Sequence, residues 1–447
     1  MQKFIYRSLI NKPIDEIVKW HLREKVLERS FGQASFLQVF SSLDPDQNRQ
    51  GRIKWGFFTF RMLVSYEQLG EDRFVLKQKQ GPFKKFEVLT SINALGSISS
   101  EVIETVLFKL PYHMRGVDVC KRLKKCFTFK HEIMDHDLDL FTRYRFQNSL
   151  RILITGASGF LARELAQFFK TAGHTPISLV RQKKRLKKDA IYFNQDGQDR
   201  EEDSFEGFDV VINLAGENLA SGRWTDEKKK KIFSSRVDFT EKLVTLLSDL
   251  KNPPKTFLSA SAVGFYKDQG KKKVDESGVS NPSSFLAEIC RSWEDACLPL
   301  KARGTRVANM RFGMILSASG GALKKLLLPF RLGLGGRLGT GQHYMSWLTI
   351  DDLIGAVYHL IMEPELEGAF NFTAVESLKN EEFTKALVEA LGRFEGPPIP
   401  AFFLHFLYGQ MADEVLLFGV RAEPKRLLDS GYRFYYPTLR RALKHLL

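Results

Sequence analysis

The residues best suited to chemistry lie in the run Arg151-Ile-Leu-Ile-Thr-Gly-Ala-Ser-Gly-Phe160, where an apolar strand breaks into a glycine-rich turn and a helix opens. Such a turn aims backbone N–H groups and the positive end of a helix dipole at one point, which suits an anion. Gly156 permits the turn, Gly159 lets a phosphate approach the backbone, and Ala162 is small enough for helix and strand to pack; the spacing is Gly-x-x-Gly-x-x-Ala, not the commoner Gly-x-Gly-x-x-Gly. A dinucleotide pyrophosphate fits, with Thr155, Gly156, Ser158, Gly159, Phe160 and Leu161 as expected contacts. A second strand over 176–180 ends at Arg181, where a site for NAD usually places an acid against the ribose hydroxyls. Arginine there suits a 2′-phosphate, which it can hold through two bonds, so NADP(H) is favoured over NAD(H). The competing reading makes Arg181 the first residue of a solvated basic loop.

These residues need a scaffold, and the pattern after residue 150 supplies one. Short buried strands are expected at 151–154, 176–180, 210–214, 256–260 and 306–311, alternating with helices at 161–172, 228–250 and 284–298. That alternation predicts an α/β fold with a doubly wound parallel Rossmann sheet. From about residue 320 the chain reads as more helical, at 351–362, 380–391 and 402–418, and can cap the carboxyl edge of the sheet on the substrate side. Before a boundary at 145–150, a helical stretch at 13–28 precedes β-rich runs at 36–40, 51–58, 62–66, 73–78 and 102–108, which predict an antiparallel sheet. The expected division is therefore 1–147 and 148–447, with 320–447 as the substrate-side segment.

Composition bounds the rest. With 43% hydrophobic and 27% charged residues, the chain is globular rather than disordered or fibrous. Cys120, Cys126, Cys290 and Cys297 lack the closely spaced pairs of a zinc site and are too few for a disulfide framework, so no metal is expected. The first residues lack a signal-peptide pattern, and no uncharged apolar run approaches the roughly 20 residues a bilayer needs, so a soluble cytoplasmic protein is expected. The net charge of +15 is compatible with nucleic acid, anionic lipid or a phosphorylated ligand. Its basic runs at 181–188, 228–231 and 271–273 lack interleaved aromatics, and no nucleic-acid partner is expected.

The strings Asn213-Leu-Ala-Gly-Glu217, Arg223-Trp-Thr, Ser259-Ala-Ser-Ala-Val-Gly-Phe-Tyr266, Phe285-Leu-Ala-Glu, Arg311-Phe-Gly and Met345-Ser-Trp-Leu-Thr-Ile-Asp-Asp352 resemble the YfcH-like epimerase family of atypical extended short-chain dehydrogenases/reductases. Gly409-Gln-Met-Ala-Asp-Glu, Pro424-Lys-Arg-Leu-Leu and Gly431-Tyr-Arg-Phe extend the resemblance through the last segment. It implies that Asn213, Leu214, Ala215, Gly216 and Ser259 also border the cofactor. The first 147 residues resemble an SRPBCC (START-like) domain through Trp20-His21, Gly81-Pro-Phe and Phe127-Thr-Phe-Lys-His131 with Asp137-Leu138. That likeness implies a curved antiparallel sheet around a long helix, which either binds an apolar ligand or only packs on the reductase. His21, His131 and His136 read as structural or surface residues.

Short-chain dehydrogenases deliver a proton from a tyrosine whose pKa is lowered by a lysine one helical turn later, beside an orienting serine. Ser259 and Ser261 stand where that serine belongs, but Phe285 or Leu286 occupies the tyrosine position and Ile289 or Cys290 the lysine position. Tyr266 is the nearest replacement in sequence, as donor or substrate contact, with Ser261 as its partner. Arg311 and Asp352 are candidates for orienting substrate and Trp347 for an apolar wall. Three functions remain: an NADP(H)-dependent oxidoreductase or nucleotide-sugar-epimerase-like enzyme for a small molecule, a non-catalytic NADP(H) sensor or scaffold, and an apolar-ligand protein acting through its N-terminal domain.

Overall fold

A computed structural model describes residues 1–31, 36–43, 49–55, 58–110, 118–145, 148–182, 189–193 and 202–447. Residues 146–147 of the expected boundary, 56–57 of the expected strand at 51–58 and 183–188 of the basic run lie outside the described residues. The chain divides into two compact units, Met1–Gln147 with Gln167–Gly173 and Leu446, and Asn148–Ala166 with His174–His445 and Leu447.

In the first unit, β1 (Gln2–Ile10), β2 (Leu37–Leu43), β3 (Arg49–Trp55), β4 (Phe58–Gln68), β5 (Arg73–Gln80), β6 (Lys85–Ala94) and β7 (Ser100–Lys109) form one antiparallel sheet in the order β1-β7-β6-β5-β4-β3-β2. Buried and half-buried residues alternate along β7, so one face of the strand meets the core. The helix Val119–Arg143 sets Leu123, Phe127, Ile133 and Met134 against Val88, Val102 and Val106 of that face. Strands β1 and β6 and this long helix are additional to the elements expected from local pattern. The helix expected at 13–28 is two helices, Ile14–Leu22 and Val26–Phe31, because Lys25 between them takes a left-handed φ of 66°. Inside the unit, Glu104 accepts hydrogen bonds from Lys130 Nζ at 2.6 Å, His131 Nε2 at 3.0 Å and Thr90 Oγ1 at 2.7 Å. His131 also bonds the Ser8 hydroxyl through Nδ1. His21 bonds Ile17 O, and burial pushes its pKa down to about 3. His136 is buried as well.

The second unit is built on β8 (Arg151–Ile154), β9 (Thr175–Val180), β10 (Ala190–Tyr192), β11 (Val210–Asn213), β12 (Thr256–Ala262) and β13 (Arg306–Phe312), followed by the short β14 (Met314–Leu316), β15 (Tyr344–Met345) and β16 (Trp347–Thr349), then β17 (Gly368–Phe372) and β18 (Leu378–Lys379). Seven of these make a sheet in the order β10-β9-β8-β11-β12-β13-β17, with every pairing parallel. This is a Rossmann-like sheet. Its strand order reverses direction between β8 and β11, and the crevice beyond the carboxyl ends of the strands at such a point receives ligands in open α/β folds. The run expected as one helix at 228–250 is two, Asp226–Ser234 and Val237–Asp249, and the chain turns between them at Ser235 and Arg236. The helix expected at 402–418 ends at Tyr408, because Gly409 takes a φ of 58°, and a π-turn at Ala412–Leu416 follows. Among the described residues, no helix is long and apolar enough to cross a membrane, and no group of three or more His, Cys, Asp or Glu could hold a metal.

Candidate functional site

The glycine turn leaves β8 directly into the helix Phe160–Ala172, beside the loop that leaves β11. Gly156 has a φ of 69°, and a Cβ there would lie 2.6 Å from Leu214 O, so both backbone shape and the neighbouring strand require glycine. Thr155 joins the two loops. Its hydroxyl donates to Asn213 Oδ1 at 2.8 Å and accepts from Leu214 N at 2.9 Å and Ala215 N at 3.0 Å. Asn213 Nδ2 in turn donates to Thr240 Oγ1 at 2.7 Å. Ser158 and Gly159 stand exposed where the helix begins, Phe160, Leu161 and Leu214 are half-buried, and Gly216 is exposed. The turn thus presents a cradle of backbone groups fit for a phosphate, while Thr155 and Asn213, both fully buried, shape the cradle from behind. Arg181 is exposed immediately after β9.

The remaining expected site residues come out differently. Ser259 is fully buried, with its hydroxyl toward Ala260 O at 3.4 Å. Ser261 donates to Glu294 Oε1 at 2.7 Å and belongs to a chain of buried bonds. Glu294 accepts two bonds of 2.8 Å from Arg311, whose Nη1 donates to Tyr266 Oη at 2.8 Å, and the tyrosine hydroxyl donates to Asn371 Oδ1 at 2.6 Å. Tyr266 has no exposed surface, and burial pushes its pKa up to about 12. The phenol therefore braces β13 against β17. Arg311 is likewise consumed by Glu294 and Tyr266. Trp347 is fully buried in β16. Asp352 is fully buried, accepting from Thr349 Oγ1 at 3.1 Å, Tyr435 N at 2.7 Å and Tyr436 N at 3.0 Å, so it anchors the last segment of the chain.

On the helix Phe285–Asp295, Phe285 packs edge-on against Trp224 at 5.6 Å, and Cys290 is buried with its thiol pushed up to about 11 by burial. Neither can replace the tyrosine and lysine. The first turn of this helix is held by Glu414, which accepts from Ser284 Oγ at 2.9 Å, Phe285 N at 3.3 Å and Leu286 N at 2.7 Å.

Sequence reasoning passed over Arg236. Its guanidinium donates to Glu217 O at 2.9 Å and Ile232 O at 3.2 Å and lies 5.3 Å from the Trp293 ring centre. A Cβ on Gly216 would come within 3.0 Å of it, so the loop after β11 rests directly on the charge. It is buried and makes no ion pair among the described residues; burial lowers its pKa to about 10, which leaves it protonated at neutral pH. The only sequence signal was a cation breaking the apolar stripe of an expected continuous helix.

Residues 152–372 match the model of the NAD dependent epimerase/dehydratase family, and residues 399–446 match a domain of unknown function, DUF1731. An epimerase family protein of Mycobacterium bovis is 34% identical over 292 residues, covering 65% of this chain and 96% of the relative. The chain belongs to the epimerase family. The structure of human epimerase family protein SDR39U1 with NADPH is similar to this family member at 30% identity and a TM-score of 0.60, over 66% of this chain and 99% of the human one. A nucleoside-diphosphate sugar epimerase from Corynebacterium glutamicum matches 99% of this chain and 90% of its own at 26% identity and a TM-score of 0.81. This epimerase-family chain thus has the NAD(P)-dependent short-chain dehydrogenase/reductase fold in its second unit, and the likeness to the C. glutamicum protein extends over both units.

Proposed function

We propose that this protein binds NADP(H) in the crevice between the loops after β8 and β11 and acts as an oxidoreductase or epimerase-like enzyme on a small molecule. The observation that carries this reading is the cradle itself: a left-handed glycine whose Cβ position is filled by Leu214 O, with Ser158 and Gly159 exposed at a helix start. Arg181, exposed at the end of β9, supports the 2′-phosphate, and the human relative described with NADPH supports the same choice. When bound, a nicotinamide supplies or accepts a hydride. The protein's part is to bind and orient: Thr155 fixes the two loops, Arg236 holds the second through Glu217 O, and Ser261 is aimed by Glu294. We read the chain as YfcH-like within its family. Its first unit we read as an SRPBCC-type domain, with or without an apolar ligand of its own, on the strength of seven antiparallel strands and a 25-residue helix.

A second reading, a non-catalytic NADP(H) sensor, is favoured by one observation: Tyr266 and Cys290 are both buried with raised pKa values, so neither restores the missing proton donor. Titration with NADPH and NADH tests the cofactor assignment. The wild type should prefer NADPH, and Arg181→Ala should remove the preference; an unchanged ratio in the variant would overturn it. A screen of carbonyl compounds and nucleotide sugars then separates enzyme from sensor, since tight NADPH binding with no turnover of any of them selects the sensor.

A further inference from the structure

One face of the second unit leaves large apolar side chains in water. The helix Ala401–Tyr408 reads Ala-Phe-Phe-Leu-His-Phe-Leu-Tyr and buries Leu404, whereas Phe402 and Phe406 are 74% and 75% exposed. The segment leading into it is joined to the turn after the helix Gly321–Arg331, with Gly396 N donating to Gly335 O at 2.8 Å, Ile399 N to Arg337 O at 2.9 Å and Gly339 N to Ile399 O at 2.8 Å. On these joined segments Phe394 is 90% exposed and Leu334 64%, and Leu328 and Leu332, one helical turn apart, are exposed too. Isolated surface apolar residues are ordinary; a cluster of this size marks a contact surface.

The charges around it are mostly positive. Lys324, Lys325 and Arg393 are exposed, Glu395 is the only acid in residues 321–340 and 391–408, and Asp413 pairs with His405 of the helix at 3.4 Å. A second copy seated face to face would bring these cations together, which is unfavourable. Bulky apolar side chains with lysine and arginine beside them instead match an anionic lipid surface, where the rings enter the headgroup boundary and the cations meet lipid charge. The net charge of +15 acts in the same direction. We propose that the helix Ala401–Tyr408 with the turn at 332–336 is a peripheral docking face for an anionic bilayer.

Cosedimentation of the full chain with phosphatidylcholine vesicles, with and without phosphatidylserine, tests this. The protein should pellet only with the anionic vesicles and be released by salt. Lys324→Gln with Lys325→Gln should weaken partition roughly 25-fold, a factor of about five per charge. Phe402→Ser with Phe406→Ser should weaken it at least about tenfold, since each ring leaves the headgroup boundary. All four side chains are exposed, and an unchanged thermal melt shows that the variants fold. Failure to pellet with anionic vesicles, equal pelleting with neutral ones, or undiminished pelleting of the Ser variant would each overturn the proposal. So would a concentration-dependent dimer in sedimentation velocity that the Ser variant dissolves, because the face would then belong to a second copy.

Discussion

Replacing Tyr266 by phenylalanine separates bracing from proton donation. The change removes one hydroxyl from a fully buried ring and leaves its shape. Asn371 Oδ1 loses a donor at 2.6 Å, whereas Arg311 Nη1 loses an acceptor at 2.8 Å but keeps Glu276 O at 3.3 Å and its guanidinium keeps both bonds to Glu294. A buried polar atom left without its partner costs about 1–3 kcal/mol. The arginine remains paired, so the main loss is the amide oxygen, and about 2 kcal/mol is expected. For a unit of this size each kcal/mol moves the melting temperature by roughly 2–4 °C, giving a fall of about 4–8 °C. Calorimetric scans of wild type and Tyr266→Phe, with NADPH titrations below the transition, measure both quantities; cofactor affinity should not change. A melt within about one degree of wild type, combined with abolished turnover on any substrate found, would refute the structural assignment and return Tyr266 to the reaction.

Other perturbations follow from the same geometry. Gly156→Ala forces a Cβ against Leu214 O at 2.6 Å in a left-handed backbone that itself costs about 1–2 kcal/mol, so NADPH binding measured by calorimetry should be lost and the melt lowered. Glu414→Ala frees the N–H groups of Phe285 and Leu286 at a helix start and should cost about 1 kcal/mol, with hydrogen exchange accelerating at residues 285–286; unchanged exchange there would remove Glu414 from this role. Asp352 is an acid whose pKa burial raises to about 6, so folding favours its protonated form. Its contribution is therefore full below the unfolded value near 3.8 and is lost as pH rises through about 6. Between those limits wild type should lose up to about 3 kcal/mol relative to Asp352→Asn, and melting curves of the pair that run parallel from pH 4 to 7, about the window set by these pKa values, would exclude this.

Much of the crevice proposed for the cofactor was legible in sequence because it depends on local backbone conformation. A glycine with positive φ, a strand before it and a helix after it are neighbours along the chain, and the alternation of strands and helices dictates a parallel sheet. The expected strand at 151–154 and helix at 380–391 agree with Arg151–Ile154 and Asn380–Leu391. Breaks within the expected helices at 13–28, 228–250 and 402–418 were not legible, since each turns on one or two residues whose conformation is set by what packs around them.

The side chains beyond the turn show where such reading ends. By itself the sequence determined that a glycine-rich turn follows β8 and opens a helix, that Arg181 follows the next strand, and that the usual tyrosine and lysine are missing. Only the tertiary structure decided that Tyr266, Arg311 and Asp352 are bonded inside the protein, and that Arg236, without an ion pair among the described residues, lies beneath Gly216. The partners of Tyr266 and Asp352 lie 105 and 83 residues away. Whether a polar side chain faces a crevice or satisfies a buried neighbour depends on those distant partners, and local spacing carries no record of them.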